Sequence, residues 1–184
     1  MIRTRSTSFD QTPLRAVALC IGASLLMTLA AKVSVPFYPV PMTLQGSVAV
    51  LAGLVLGPRL ALAAMCLYLA EGMIGLPVFS GTPERGIGLI YMAGPTGGFL
   101  IGFVLTAWLA GWLSRRLQPS LAGTFLVAVA SIAAMYLPGL LWLGQFTGYG
   151  PGLLAAGLFP FLLGDAVKAA IAALAAFGLR RVRV

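Results

Sequence analysis

The chain has 184 residues, of which 60% are hydrophobic and 9% charged, with a formal net charge of +8. A soluble domain carries about a quarter charged residues, and several uncharged runs here reach the roughly 20 residues that cross a hydrocarbon core. A soluble domain is thereby excluded, and long unbroken apolar runs without two-residue alternation exclude a β-barrel; what is left is an all-α integral membrane protein in a lipid bilayer.

Taken in chain order, the first apolar run covers about Leu14 to Ala31. No small-residue cleavage site with a polar continuation follows it, so it is expected to be retained. Pro36, Pro39 and Pro41 cannot continue a helix. A second span runs from about Thr43 to Leu56 and closes at Gly57–Arg59, and a third covers about Leu60 to Leu76. A loop rich in Gly and Pro extends from Pro77 to about Tyr91, and the fourth span, about Gly94 to Leu113, ends at Arg115 and Arg116. Leu117 to Gly164 carries no acidic or basic side chain. At 1.5 Å per residue it is too long for one crossing, and "GQFTGYGPG" (Gly144–Gly152) is its break. The fifth span is then about Leu121 to Leu143, and the sixth runs from the Pro160 region to Leu179. Residues 1–13 read as a cytoplasmic tail, and residues 14–184 as one domain of six transmembrane helices.

An even count puts both termini on one side. With that side cytoplasmic, nine basic residues fall inside: Arg3, Arg5, Arg15, Arg59, Arg115, Arg116, Arg180, Arg181 and Arg183. Lys32 and Arg85 lie outside and Lys168 within the membrane, which satisfies the positive-inside rule in a multi-pass plasma (inner) membrane protein. These are topology signals rather than a nucleic-acid patch, since no basic cluster interleaves with aromatics in a soluble region. There is no histidine, which removes the commonest metal ligand and general base; no metal, cofactor or catalytic residue is expected. Cys20 and Cys66 lie in apolar spans as small hydrophobes.

Asp165 and Lys168, in "FLLGDAVKAA", are the charges that need explaining. Each costs about 2.5–3.5 kcal/mol at mid-membrane on insertion scales, and i, i+3 spacing puts them on one helical face. One reading is a self-neutralising pair that locks helix packing. The other is a ligand site offering an acceptor and a cation to a cavity open to the outside. Thr43 and Gln45 open the second span at the same outer end; Gln45 by itself reads as interhelical glue. Glu71 closes the third span, and Glu84 and Arg85 sit in the following loop either as a solvated pair or as part of a binding segment. Tyr136, Trp142 and Tyr149 are candidates for the interfacial aromatic belt. On the first helix, Ala18 and Gly22 have the small-xxx-small spacing that permits close helix approach.

"PVPMTLQ" (Pro39–Gln45), "GLPVFSGTPERGIG" (Gly75–Gly88), "GPTGG" (Gly94–Gly98), "YLPGLLWL" (Tyr136–Leu143) and "FPFLLGDAVKA" (Phe159–Ala169) together resemble the successive signatures of the BioY family. That family supplies the biotin-specific S component of energy-coupling factor transporters. The resemblance implies a six-helix S component binding biotin near the outer face, beneath the loop between helices three and four. It implies a transmembrane coupling subunit and two ATPase subunits as partners, although some members work without a dedicated module. Asp165 and Lys168 match the family's last-helix acid and lysine, Thr82, Glu84 and Arg85 its polar loop positions, and Ala18 and Gly22 its docking motif. An Asp accepts from ureido N–H groups and a cation suits the ureido oxygen. Arg85 then suits the biotin carboxylate, with Val78 and Phe79 of the loop covering the rings, and Tyr91, Thr43 and Gln45 completing the substrate-binding set. The opposite orientation, with Lys168 on the carboxylate, also stands.

Rival classes are an intramembrane enzyme, a packing scaffold or channel, and a solitary proton-coupled transporter using Asp165 or Glu71 as relay. The first lacks any histidine or Ser–base constellation. Uptake in a host without coupling subunits separates the last from the S component.

Overall fold

A computed structural model of the chain describes residues 13–117 and 120–182, apart from the side chains of residues 181 and 182. The expected tail (except Pro13) and the topology signals Arg3, Arg5 and Arg183 lie outside the described residues, as does the Arg181 side chain. Helices dominate: α1 (Pro13–Lys32), α2 (Gln45–Leu56), α3 (Pro58–Met73), α4 (Gly88–Ala93), α5 (Gly97–Ser114), α6 (Leu121–Thr147), α7 (Pro151–Gly157) and α8 (Leu162–Val182). Two short strands, β1 (Ser34–Val35) and β2 (Met42–Thr43), pair antiparallel in the α1–α2 connection.

The six spans read from the sequence correspond to α1, α2, α3, α5, α6 and α8, with ends shifted by up to four residues. Two short helices were not foreseen, α4 and α7. Four stretches, Pro13–Lys32, Gly97–Ser114, Leu121–Thr147 and Pro151–Arg180, are long and apolar enough to cross a membrane, while α2 has 12 residues and α3 has 16. Outward faces are apolar as well: Leu163, Val167, Ile171 and Leu174 form an exposed stripe along α8. Such a surface matches lipid and not water.

Local chemistry sets the ends. α2 stops at Gly57, whose φ of 80° favours glycine, and Pro58 opens α3 at a position where its missing N–H costs nothing. Ser120 caps α6 by accepting from the Gly123 N–H at 2.9 Å. Inside the bundle, small residues let backbones meet: a Cβ on Gly53 of α2 would lie 2.3 Å from the Ala107 carbonyl oxygen of α5. Thr106 of α5 donates to the Ser131 carbonyl of α6 at 3.0 Å. These seams bring the first turns of α8, the middle of α6 and the start of α2 around one point.

Candidate functional site

Asp165 lies in the first turn of α8, where the helix dipole favours a negative charge. Three residues on, the Lys168 ammonium donates to Asp165 Oδ1 at 2.8 Å, and both side chains are 8% exposed. The other carboxylate oxygen accepts from the Tyr136 hydroxyl of α6. Tyr136 is buried and held edge-on by Phe99 of α5, with ring centroids 6.1 Å apart. Phe99 fits there because its ring occupies the space that a Cβ on Gly139 would take. Ser47 of α2 donates to the Lys168 carbonyl at 3.2 Å, tying α2 to α8.

The triad faces a cavity of about 40 Å3. Its polar lining is Thr43, Tyr136, Asp165 and Lys168; Phe99, Phe103, Met135 and Phe161 supply the apolar walls, and Val40, Pro41 and Met42 with Gly46 complete it. The α1–α2 connection therefore contributes one side of the cavity. Phe37 in that connection meets Phe161 edge-on at 5.8 Å. Met42 packs so closely over α8 that a Cβ on Gly164 would lie 2.8 Å from its sulfur.

Gln45 does not line the cavity but is buried behind it, taking a hydrogen bond from Thr43 at 3.1 Å and giving one to the Tyr68 hydroxyl at 2.7 Å. None of Val78, Phe79, Thr82, Glu84, Arg85 or Tyr91 reaches the cavity. This cavity takes a wall from the α1–α2 connection and none from the α3–α4 loop. Phe79 turns inward instead, stacked on Tyr91 at 5.0 Å and edge-on to Tyr68 at 5.4 Å. Val78 and Thr82 are buried with it, and Glu84 and Arg85 point outward, exposed. Arg85 folds its stem over Gly81. Burial raises the Tyr91 phenol above its ordinary range, against the pull of Thr96 and Arg85.

Tyr136 was expected in an interfacial belt and proves to be the third member of the charged cluster. Trp142 donates to the Gly94 carbonyl at 2.9 Å, and Tyr149 is exposed. Glu71 accepts from Ser24 of α1, away from the cavity. Ala18 and Gly22 line an apolar groove of about 280 Å3 formed by α1, α2 and the end of α8. A Cβ on Gly22 would meet nothing within 4 Å, so this small residue serves no internal helix crossing.

Residues 3–183 match the BioY family. The chain belongs to that family. It is 38% identical over 165 residues to the biotin transporter BioY of Rhizobium etli, covering 85% of this chain and 87% of the relative. It is 36% identical over 151 residues to the probable biotin transporter BioY of Pyrococcus horikoshii, covering 82% and 87%. A crystal structure of the S-component for biotin from an ECF-type ABC transporter superposes with a TM-score of 0.81 at 24% identity, covering 91% of this chain and 92% of that one. This last likeness shows that the fold is shared.

For this BioY-family chain, the cavity residues that sequence reasoning missed are mostly apolar. Phe99, Phe103, Met135 and Phe161 look like any other core residue in a span. Tyr136 stands out as the tyrosine of α6, but its residue type alone points equally to an interfacial belt.

Proposed function

We propose that this BioY-family chain is the membrane-embedded substrate-binding component for biotin uptake, not an enzyme, with biotin held at the Tyr136–Asp165–Lys168 cluster. α1, α2, α3, α5, α6 and α8 cross the membrane, both termini are cytoplasmic, and the cavity lies near the outer face. The observation that carries this reading is the buried Lys168 ammonium. Of its three N–H donors, one has a protein acceptor among the described residues, and the side chain lines the cavity.

The chemistry fits a ureido ring. The free Lys168 donors suit the ureido oxygen, and the remaining lone pairs on Asp165 suit the two ureido N–H groups. Phe99, Phe103, Met135 and Phe161 suit the apolar thioether ring. A cavity of about 40 Å3 is well below the roughly 300–1,000 Å3 of small-molecule sites. Binding therefore moves a wall, and the α1–α2 connection is the wall with least support: its strands are two residues long, and Tyr38 at its tip is 91% exposed.

The groove at Ala18 and Gly22 is the docking face for a transmembrane coupling subunit, which works with two ATPase subunits. No nucleotide-binding loop occurs in the sequence, so ATP hydrolysis belongs to those partners. The test is titration calorimetry of the purified full chain with biotin. One saturable site per chain is expected, and no measurable binding would overturn the reading.

A further inference from the structure

The hairpin that closes the cavity is tied at both of its feet to one other segment, the α3–α4 loop. At the first foot stands Lys32, the last residue of α1. Its ammonium donates to the carbonyl oxygens of Pro77 at 2.8 Å and Phe79 at 3.1 Å, and to the Thr82 hydroxyl at 3.1 Å. At the second foot, Thr43 donates to Gln45, Gln45 to the Tyr68 hydroxyl, and Tyr68 in turn to the Val78 carbonyl at 3.2 Å. Between the feet the backbone of the hairpin has the β1–β2 pairing and two further bonds, Leu44 N–H to the Val33 carbonyl at 3.3 Å and Phe37 N–H to the Val35 carbonyl at 2.9 Å. A ribbon that short does not hold its shape alone.

The loop, by contrast, is anchored. Phe79 is fully buried between Tyr68 and Tyr91, with its ring where a Cβ on Gly72 would be. It therefore acts as the fixed post and the hairpin as the moving part. We infer that Lys32 and Tyr68 are positioning residues that clamp the hairpin onto residues 77–82 and so set the rate at which ligand leaves the cavity. The α3–α4 loop takes part in binding through this clamp. The inference rests on the reading of the cavity as the biotin site.

The experiment uses the full chain in detergent, with Lys32→Met, Lys32→Arg and Tyr68→Phe variants. Two quantities are read: amide hydrogen exchange over residues 33–44 without ligand, and the dissociation rate of biotin. Losing hydrogen bonds to a charged donor is expected to raise the dissociation rate in Lys32→Met by about tenfold or more. Exchange over residues 33–44 quickens in parallel, and Tyr68→Phe shifts both quantities in the same direction. Lys32→Arg restores both, because its guanidinium keeps a charge and several donors at the same carbonyls. Unchanged exchange in both Lys32→Met and Tyr68→Phe overturns the clamp, and so does faster exchange with an unchanged dissociation rate. Wild-type protein that binds no biotin defeats the functional reading instead, and the exchange data still decide whether the clamp exists.

Discussion

Asp165 and Lys168 tolerate burial because each supplies what the other lacks, and because Tyr136 takes up a further carboxylate lone pair. Removing one partner of such a pair leaves an uncompensated charge in a low-dielectric setting, which costs several kcal/mol, whereas removing both can be nearly neutral. That asymmetry separates a packing role from a binding role. Asp165→Asn is expected to weaken biotin binding by about 1.5–3 kcal/mol, the scale of a lost charged hydrogen bond, and to lower thermal stability in detergent. The double variant Asp165→Asn, Lys168→Met should recover much of that stability while affinity stays lost. Calorimetry and thermal unfolding on the same preparations read both, and a double variant with wild-type affinity would reduce the pair to packing. The pair itself was legible, since two charges in so apolar a stretch have few explanations. Tyr136 was not, because a tyrosine in a membrane helix serves an interfacial belt just as well. The direction of Arg85 was not legible either, because it depends on how residues 77–82 pack; its side chain is exposed and lies over Gly81.

The helices were legible for a physical reason: backbone groups in lipid must be satisfied within the helix, so apolar runs and their Gly or Pro interruptions mark the ends. α4 and α7 escaped notice because six or seven residues inside a Gly- and Pro-rich connection carry turn signals that mask a short helix. Nor does sequence say which of many small residues faces a neighbour. The α5–α6 seam depends on Gly98: a Cβ there would sit 2.4 Å from the Pro138 carbonyl oxygen and 2.3 Å from the Trp142 Cβ. Neither atom is the end of a flexible side chain, so the helices must separate. Gly98→Ala is expected to cost about 1–3 kcal/mol of stability, as overpacking does, and to weaken biotin binding by displacing Phe99 against Tyr136. Gly22→Ala adds the same methyl where nothing lies within 4 Å, and should be neutral or mildly stabilising. Thermal unfolding of the two alanine variants side by side checks the contrast; equal losses would contradict the seam.

At the scale of the molecule, two surfaces must stay independent if a binding component is to load ligand on one side and engage its motor within the membrane. The cavity is built from the α1–α2 connection, α2, α5, α6 and α8, and the apolar groove from the middle of α1 (Ala18 to Leu26), one face of α2 and Leu179. α2 serves both, with Gly46 in the cavity and Val48, Leu51 and Val55 on the groove, so independence is a property to be measured. Gly22→Leu is the suitable probe, because its side chain enters the groove without meeting an internal neighbour. Leucine is also a better helix former than glycine, so the fold loses nothing by the exchange. Biotin affinity by calorimetry is expected to stay within about twofold of wild type, less than half a kcal/mol. Co-purification with the coupling subunits is expected to be abolished, since a filled groove cannot accept a partner helix at small-residue distance. An intact complex would place docking on another face of the bundle. Impaired biotin binding in the isolated chain would show instead that α2 transmits strain from groove to cavity, making docking and ligand release two ends of one coupled motion.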